Sequence, residues 1–234
     1  MNILAIECTH GVLSLALYRD GFVTEARGES WQKTAEGIVP LIDRLMKNDG
    51  AEPGSLDAVA ISSGPGSFTA LRIGMSVAKG IASALAIPVV PVPTLPAMAA
   101  AMPAACGAER VMAVVEARKG EYYHAVYSSP DLAAFRWEGE VRLGRRDAVI
   151  DALAGRPRAT AVTGRRLDPL REALLEAGAT LDDASGFTAA SILPMALRLL
   201  EAGRGVDAGL ALADYHQEFV SGGAGVRSRE VGGK

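Results

Sequence analysis

"SGPGSFTALRIG", Ser63 to Gly74, is the stretch on which the reading of this chain turns. A short apolar run, Leu56 to Ile61, stands before it, and an apolar segment from about Thr69 to Ala86 follows. Strand, glycine loop, helix is the order this predicts. Gly64 and Gly66 can adopt positive φ and let a backbone or a ligand come close. Pro65 stiffens the turn, and Ser67 or Thr69 is expected to cap the helix. A helix start behind a glycine loop suits an anion, so Gly64, Gly66, Ser67 and Thr69 are the candidates for a phosphate contact. No lysine follows the second glycine, so this is not a P-loop. The main reading is a structural turn into a helix.

That helix carries the stronger signal. Its polar side chains, Arg72, Ser76, Lys79 and Ser83, form one narrow stripe at spacings of three or four. The remainder is apolar or small, wider than the roughly 100° that one sheet requires. Gly74, Ala78 and Ala82 make a smooth seam that would admit another helix closely. We expect one side to pack on the sheet and the other to meet a partner chain through Leu71, Gly74, Met75, Ala78, Ala82 and Leu85. Thr34 to Met46 predicts a second amphipathic helix, with Ile38, Leu41, Ile42 and Leu45 in register and expected in the same partner interface.

Working outward, three strands open the chain: Asn2 to Cys8, Gly11 to Tyr18 and Phe22 to Arg27, the last two joined at Asp20-Gly21. With the helices and the strand Val89 to Val92 this gives β-β-β-α-β-α-β, an α/β order that suits a mixed sheet of the ribonuclease H-like kind. After a helix near Leu95 to Met102 the pattern partly restarts. Strands are predicted at Val111 to Ala117, Glu121 to Tyr127, Phe135 to Val141 and Thr160 to Thr163. Helices are predicted at Leu170 to Ala177 and Ala189 to Leu200, where Pro194 should kink or delay the last. The expected division is a first lobe over 1–104, a second over 105–220 and a flexible tail over 221–234.

The chain has 234 residues, 49% of them hydrophobic, and a net charge of -3. Its mean hydropathy is +0.19 and its pI about 5.7. Bulk charge gives nucleic acid no attraction, so any RNA role must be shared with a more basic partner. Two separated cysteines, Cys8 and Cys106, make no disulfide framework. "MNILAIECTH" has no basic leader and reads as a strand. The alanine-rich run from Leu95 to Ala105 is broken by prolines and too short to cross a bilayer. These features predict a cytoplasmic protein with no membrane association.

Recognisable chemistry is sparse. His10, His124 and His216 are far apart, and no H-E-x-x-H, C-x-x-C or G-x-S-x-G pattern occurs, so neither a metal site nor a catalytic residue is expected. His124 is expected to be a strand residue on one face, among Tyr122, Tyr123 and Tyr127. Cys8 reads as a packed thiol, and Glu7 as an acid bonded within its own turn.

Four stretches taken together carry a family resemblance: "ILAIECT", "ISSGPGSFTALRIGMSVAKGIASAL", "IPVVPVPTLPAMA" and "VVEARKGEYYHAVY". They resemble the TsaB (YeaZ) family over most of residues 1–127, and the GPGSFT-x-x-RIG block is the specific part. The resemblance implies an actin-like (ASKHA) fold of two lobes. It implies a non-catalytic scaffold in synthesis of threonylcarbamoyladenosine beside the tRNA anticodon. It also implies pairing with a TsaD-like transferase through the two helices of the first lobe, with a TsaE-like ATPase joining. ATP and a metal ion would then sit on the partner subunits, with no cofactor in the isolated chain, which could self-associate as a homodimer. The chain departs from the family pattern at Glu7 and Glu116, where Asp is usual, and at His10, where Ser or Thr is. It departs again at Lys33-Thr34, where His-Ser is common, and at Ala70, where Gly is. Two further functions are weighed against the scaffold. An autonomous ATP-dependent phosphotransferase would need a second phosphate loop, and only Thr163-Gly164 stands near the right place. A peptidase would need a nucleophile–base pair or a zinc motif.

Overall fold

The structure is a computed structural model that describes residues 1–9, 11–30, 33–102, 107–137, 139–155 and 159–214. His10, Cys106, His216, the tail 221–234 and the division at 104/105 lie outside the described residues.

The first half runs β1 (Asn2–Glu7), β2 (Ser14–Arg19), β3 (Phe22–Arg27), α1 (Thr34–Asn48), β4 (Ala58–Gly64), α2 (Phe68–Leu85), β5 (Val89–Pro93) and α3 (Thr94–Ala100). Its sheet has the order β3-β2-β1-β4-β5, antiparallel from β1 to β3 and parallel from β1 to β5. The second half runs β6 (Arg110–Arg118), β7 (Glu121–Ser128), α4 (Ser129–Ala133), β8 (Arg142–Arg145), α5 (Arg146–Asp151), β9 (Thr160–Arg165), α6 (Asp168–Glu176), β10 (Thr180–Asp182) and α7 (Ala189–Glu201). Its order, β10-β9-β6-β7-β8, repeats the first sheet's when each is counted from its own first strand. The expected mixed sheet and its loose repetition are both present.

The central strands read as unbroken apolar runs because both faces of each sheet are covered. On the first sheet Leu4, Ile6, Leu15, Val59 and Ile61 face α1 and α2. The other face is mostly small, with Ala5, Ala16, Ala58 and Ala60, so a helix can lie close to it. That helix is α7, from the other half of the chain. In return α3 packs on β6 and β7 of the second sheet. The last helix of each half is thus exchanged, and both share one core with Leu95, Met98, Val111, Val115, Ile192 and Met195. The outer face of the second sheet packs Met112, Val114 and Val162 against α5 and α6.

Three expectations change. Residues 189–214 follow the second lobe in sequence but belong with the first sheet in space. Beyond α7, Val206 bridges to Val89 and the Asp214 amide donates to the Ser63 carbonyl at 2.7 Å. Pro194 does not delay α7: it lies on the exposed side, and the helix starts at Ala189, whose N–H donates to Ser14 Oγ at 3.0 Å. The third strand of the second sheet is Arg142–Arg145 rather than Phe135 to Val141, because the chain turns at Phe135 with φ +53°.

Candidate functional sites

The glycine loop closes on its own chain. Gly64 has φ +120°, and a Cβ there would stand 2.6 Å from the Asp214 carbonyl oxygen. The close approach that this glycine permits is therefore used by the segment after α7 and not by a phosphate. The Gly64 N–H donates to Thr94 Oγ1 at 3.1 Å, and the Ser67 N–H to the Thr9 carbonyl at 2.8 Å. Ser67 stands at the N-cap of α2, but neither it nor Thr69 caps the helix with a side chain. Gly64 is thus withdrawn as a phosphate ligand, and so is the side-chain cap.

Ser67 and Thr69 do line a cleft of ≈ 700 Å³ between the two halves. Opposite them stand Arg118 at the end of β6, Lys119 on the turn that follows, Arg165 at the end of β9 and Arg166 just beyond it. Glu116 also lines the cleft, where its carboxylate lies 3.6 Å from Arg166 Nη1. Arg165 donates to the Phe187 carbonyl, and its guanidinium rests against Gly11 across the cleft. Arg118 in turn pairs with Glu121, so two of these cations already have carboxylate partners. Sequence reading missed Arg165 and Arg166, because nothing local marks a strand end that meets a loop about 150 residues away.

The acids and thiol beside the cleft are already engaged. Glu7 is buried and accepts from the Thr9 N–H and Oγ1 at 2.7 and 2.6 Å, and from the Ser62 hydroxyl. It bonds within its turn, as expected, and also ties β1 to β4. Cys8 is buried, its Sγ donates to the Ala70 carbonyl at 3.2 Å, and burial followed by the Glu7 charge pushes its pKa far up. A thiol held protonated is a poor nucleophile. A second hollow, ≈ 790 Å³, lies among α3, α4 and α7. Among the described residues that line it, the one acid, Glu25, accepts from Thr188 Oγ1 at 2.6 Å.

The helical face differs from its expected form. Leu71, Gly74, Met75, Ala78 and Ala82 are all buried in this chain, with Ala78 and Ala82 at 0% and 1% exposure. The small seam is what lets α2 lie close to its own sheet: a Cβ on Gly74 would meet Cys8 Sγ at 2.7 Å and Ile61 Cδ1 at 3.0 Å. Ile38, Leu41 and Leu45 of α1 are likewise buried beneath it. These eight residues are removed from the candidate interface. What stays open is the neighbouring side of the pair. Ile42 and Leu85 are half-buried, as are Ile73, Val77 and Ile81, while Gly80 is exposed and Val39 is 59% exposed. The polar stripe also has assigned roles: Lys79 Nζ donates to the Gly209 and Ala211 carbonyls at 3.3 and 3.0 Å, and Arg72 lies over the Phe68 ring.

Two lobes of the same strand order with exchanged last helices place the chain in the actin-like class of α/β proteins. Within that class it is similar to the TsaB (YeaZ) proteins, the family that its motifs resemble. The TsaB biosynthesis protein of Escherichia coli K12 is 35% identical over 140 residues, 60% of either chain. That of Haemophilus influenzae is 35% identical over 123 residues, 53% of this chain and 52% of its own. The chain thus aligns with between half and three-fifths of these curated relatives' lengths. The solved structure of YeaZ from Pseudomonas aeruginosa superposes with a TM-score of 0.73 at 26% identity, covering 92% of this chain and all of that one. A family model described as "TsaD: tRNA N6-adenosine threonylcarbamoyltransferase" matches residues 29–133. Among the described residues no helix is long and apolar enough to cross a membrane.

Proposed function

We propose that this chain is a non-catalytic scaffold and activator subunit in the synthesis of threonylcarbamoyladenosine on tRNA. Its curated relatives are named as tRNA threonylcarbamoyladenosine biosynthesis proteins. Its partner is a TsaD-like transferase, joined by a TsaE-like ATPase, and ATP and metal reside on those subunits. The observation that carries the reading is the open apolar side of α1 and α2. Exposed apolar surface of this kind, rimmed by Arg44, Arg72 and Ser76, marks a protein interface. An interface of about 800 Å² per partner would cover it. A non-catalytic role is supported by the fate of the candidate chemical groups: Cys8 is buried and protonated, Glu7 holds three hydrogen bonds, and Gly64 is closed by Asp214.

The test is co-purification of the full chain with the TsaD-like subunit of the same organism, followed by a tRNA modification assay with and without this chain. A stable complex and modification that depends on it are expected. Absence of a complex at micromolar concentrations overturns the pairing. The interlobe cleft gives the phosphotransferase alternative its one footing, and calorimetry of the isolated chain with ATP decides it. Weak or no binding is expected, and a micromolar site would favour that alternative.

A further inference from the structure

After α7 the chain returns to the first lobe as a strap, residues 206–214, that lies against α2. Three ties hold it there. Val206 bridges to Val89 of β5, Lys79 of α2 donates to the Gly209 and Ala211 carbonyls at 3.3 and 3.0 Å, and the Asp214 N–H donates to the Ser63 carbonyl at 2.7 Å. Ala208 and Ala211 are buried in the core that α1 and α2 form with their sheet. Asp207 accepts from the Gly209 N–H at 2.7 Å and closes the turn between them. A strap fixed in this way also fixes the side chains that point outward. Those are Leu210 and Leu212, 74% and 75% exposed.

Single exposed leucines are ordinary on a protein surface. This pair is set apart by its place. Lys79 and Gly80 are consecutive, so the strap lies beside the turn of α2 that carries Gly80. Around the outer side of that helix, Ser76, Gly80 and Ser83 separate Lys79 from Val77 and Ile81. All three are exposed and small. At this level of the helix the open side of α1 and α2 therefore continues to the leucines with no bulky side chain between. Area points the same way. A stable interface takes about 800 Å² from each partner. The aliphatic residues of the open side, Ile42, Ile73, Val77, Ile81 and Leu85, are each half-buried already. The strap leucines offer most of their side chains.

We propose that Leu210 and Leu212 form the second wall of the partner-binding face, and that an apolar helix of the TsaD-like subunit seats on α2 between them and α1. The inference rests on the scaffold reading and adds to it a segment about 130 residues beyond α2 in sequence. Helix-in-groove docking of this kind is read by aliphatic anchors on either side of a low floor. Lys79 then acts within its own chain, as the post that holds the strap, and not as a contact to the partner.

The experiment measures the dissociation constant of the full-length chain for the TsaD-like subunit by calorimetry. The double variant Leu210→Ser, Leu212→Ser should bind about tenfold more weakly than wild type, with the melting temperature of the isolated chain unchanged. Leu175→Ser removes a leucine 53% exposed on α6 of the second lobe and should bind as wild type. In parallel, leucine methyls of the wild-type chain are followed by NMR with a soluble paramagnetic agent. The Leu210 and Leu212 methyls should be broadened in the dilute isolated chain and protected in the complex. If the double variant melts early, this protection alone decides. Equal affinity of the double variant, with methyls that stay broadened in the complex, overturns the inference and leaves the scaffold reading intact. Methyls already protected in the dilute chain mean that residues 215–234 cover them, and protection that grows with chain concentration means that a second copy does. Either result overturns the inference. Absence of any complex with the wild-type chain overturns both.

Discussion

Gly74 shows how a single residue can be right in kind and wrong in reason. Its lack of a side chain does permit close approach, but the neighbour is Cys8 of the same chain. Gly74→Ala should therefore destabilise: overpacking costs about 1–3 kcal/mol and the gain in helix propensity returns roughly 1. Cys8→Ala removes the sulfur that the new methyl would meet. In that background Gly74→Ala should cost less, with a coupling of about 1 kcal/mol in a double-mutant cycle read by urea unfolding. Additive losses would place the clash elsewhere. His124 gives a second test at this scale. Burial, and then the Arg142 charge, hold it below the usual histidine value of 6.5. The unfolded chain thus binds a proton that the folded chain refuses, and stability falls as pH drops below about 6.5. Replacing His124 with Gln should flatten the stability profile in that window, measured by denaturant midpoints across pH. Neither contact was legible in the sequence. Glu7 and Cys8 were read correctly because the first has a partner, Thr9, within its own turn and the second needs only burial, while the bond from Ser62 to Glu7 across strands was not.

The elements were far more legible than the contacts between them. The period of the apolar residues located α1 and α2 to within two residues at either end, and the three opening strands nearly as closely. A helical wheel, however, says which residues share a side and not which side meets the sheet. Gly74, Ala78 and Ala82 looked like a seam for a second chain, but a sheet also accepts a helix best along its smallest side chains. The error has a direct consequence. Ala78→Glu would bury a carboxylate in the apolar core between α2 and its sheet and should unfold the lobe, with a loss above about 3 kcal/mol. Gly80→Glu is the informative change at the interface. No atom lies within 4 Å of a Cβ built there, and replacing a helix-interior glycine gains up to about 1 kcal/mol. Gly80→Glu should keep or raise the melting temperature while weakening co-purification with the TsaD-like subunit. A complex that survives Gly80→Glu and Val77→Glu together would remove α2 from the interface. Lys79→Met should leave α2 helical but loosen the segment around Gly209 and Ala211, seen as faster amide exchange there.

At the scale of the whole molecule, the repetition of strand order was visible in sequence and the exchange of α3 and α7 was not. Chain order assigns α7 to the second half, and only the row of alanines on the first sheet's far face hints that a helix must cover it. Those alanines are spread over three strands, β1, β2 and β4, that are far apart in sequence, so no window of sequence contains the whole pattern. The exchange makes the lobes interdependent. Without α7 the first sheet would expose Ile3, Ala5, Val90 and Val92 to water. A fragment limited to 1–104 should therefore fail to fold, giving poor amide dispersion and dye binding where an independent domain would give sharp spectra. The same logic predicts one unfolding transition for the full chain. Ile192 is fully buried on α7 within the shared core, and Ile192→Ala should cost about 2–5 kcal/mol. That loss should appear equally in the exchange of β4 amides and of β6 amides, since opening either sheet requires removal of a helix that the other half supplies. If Ile192→Ala destabilised only the first sheet while β6 kept its protection, the lobes would be separable units, and the exchanged helices would be contacts without a common core.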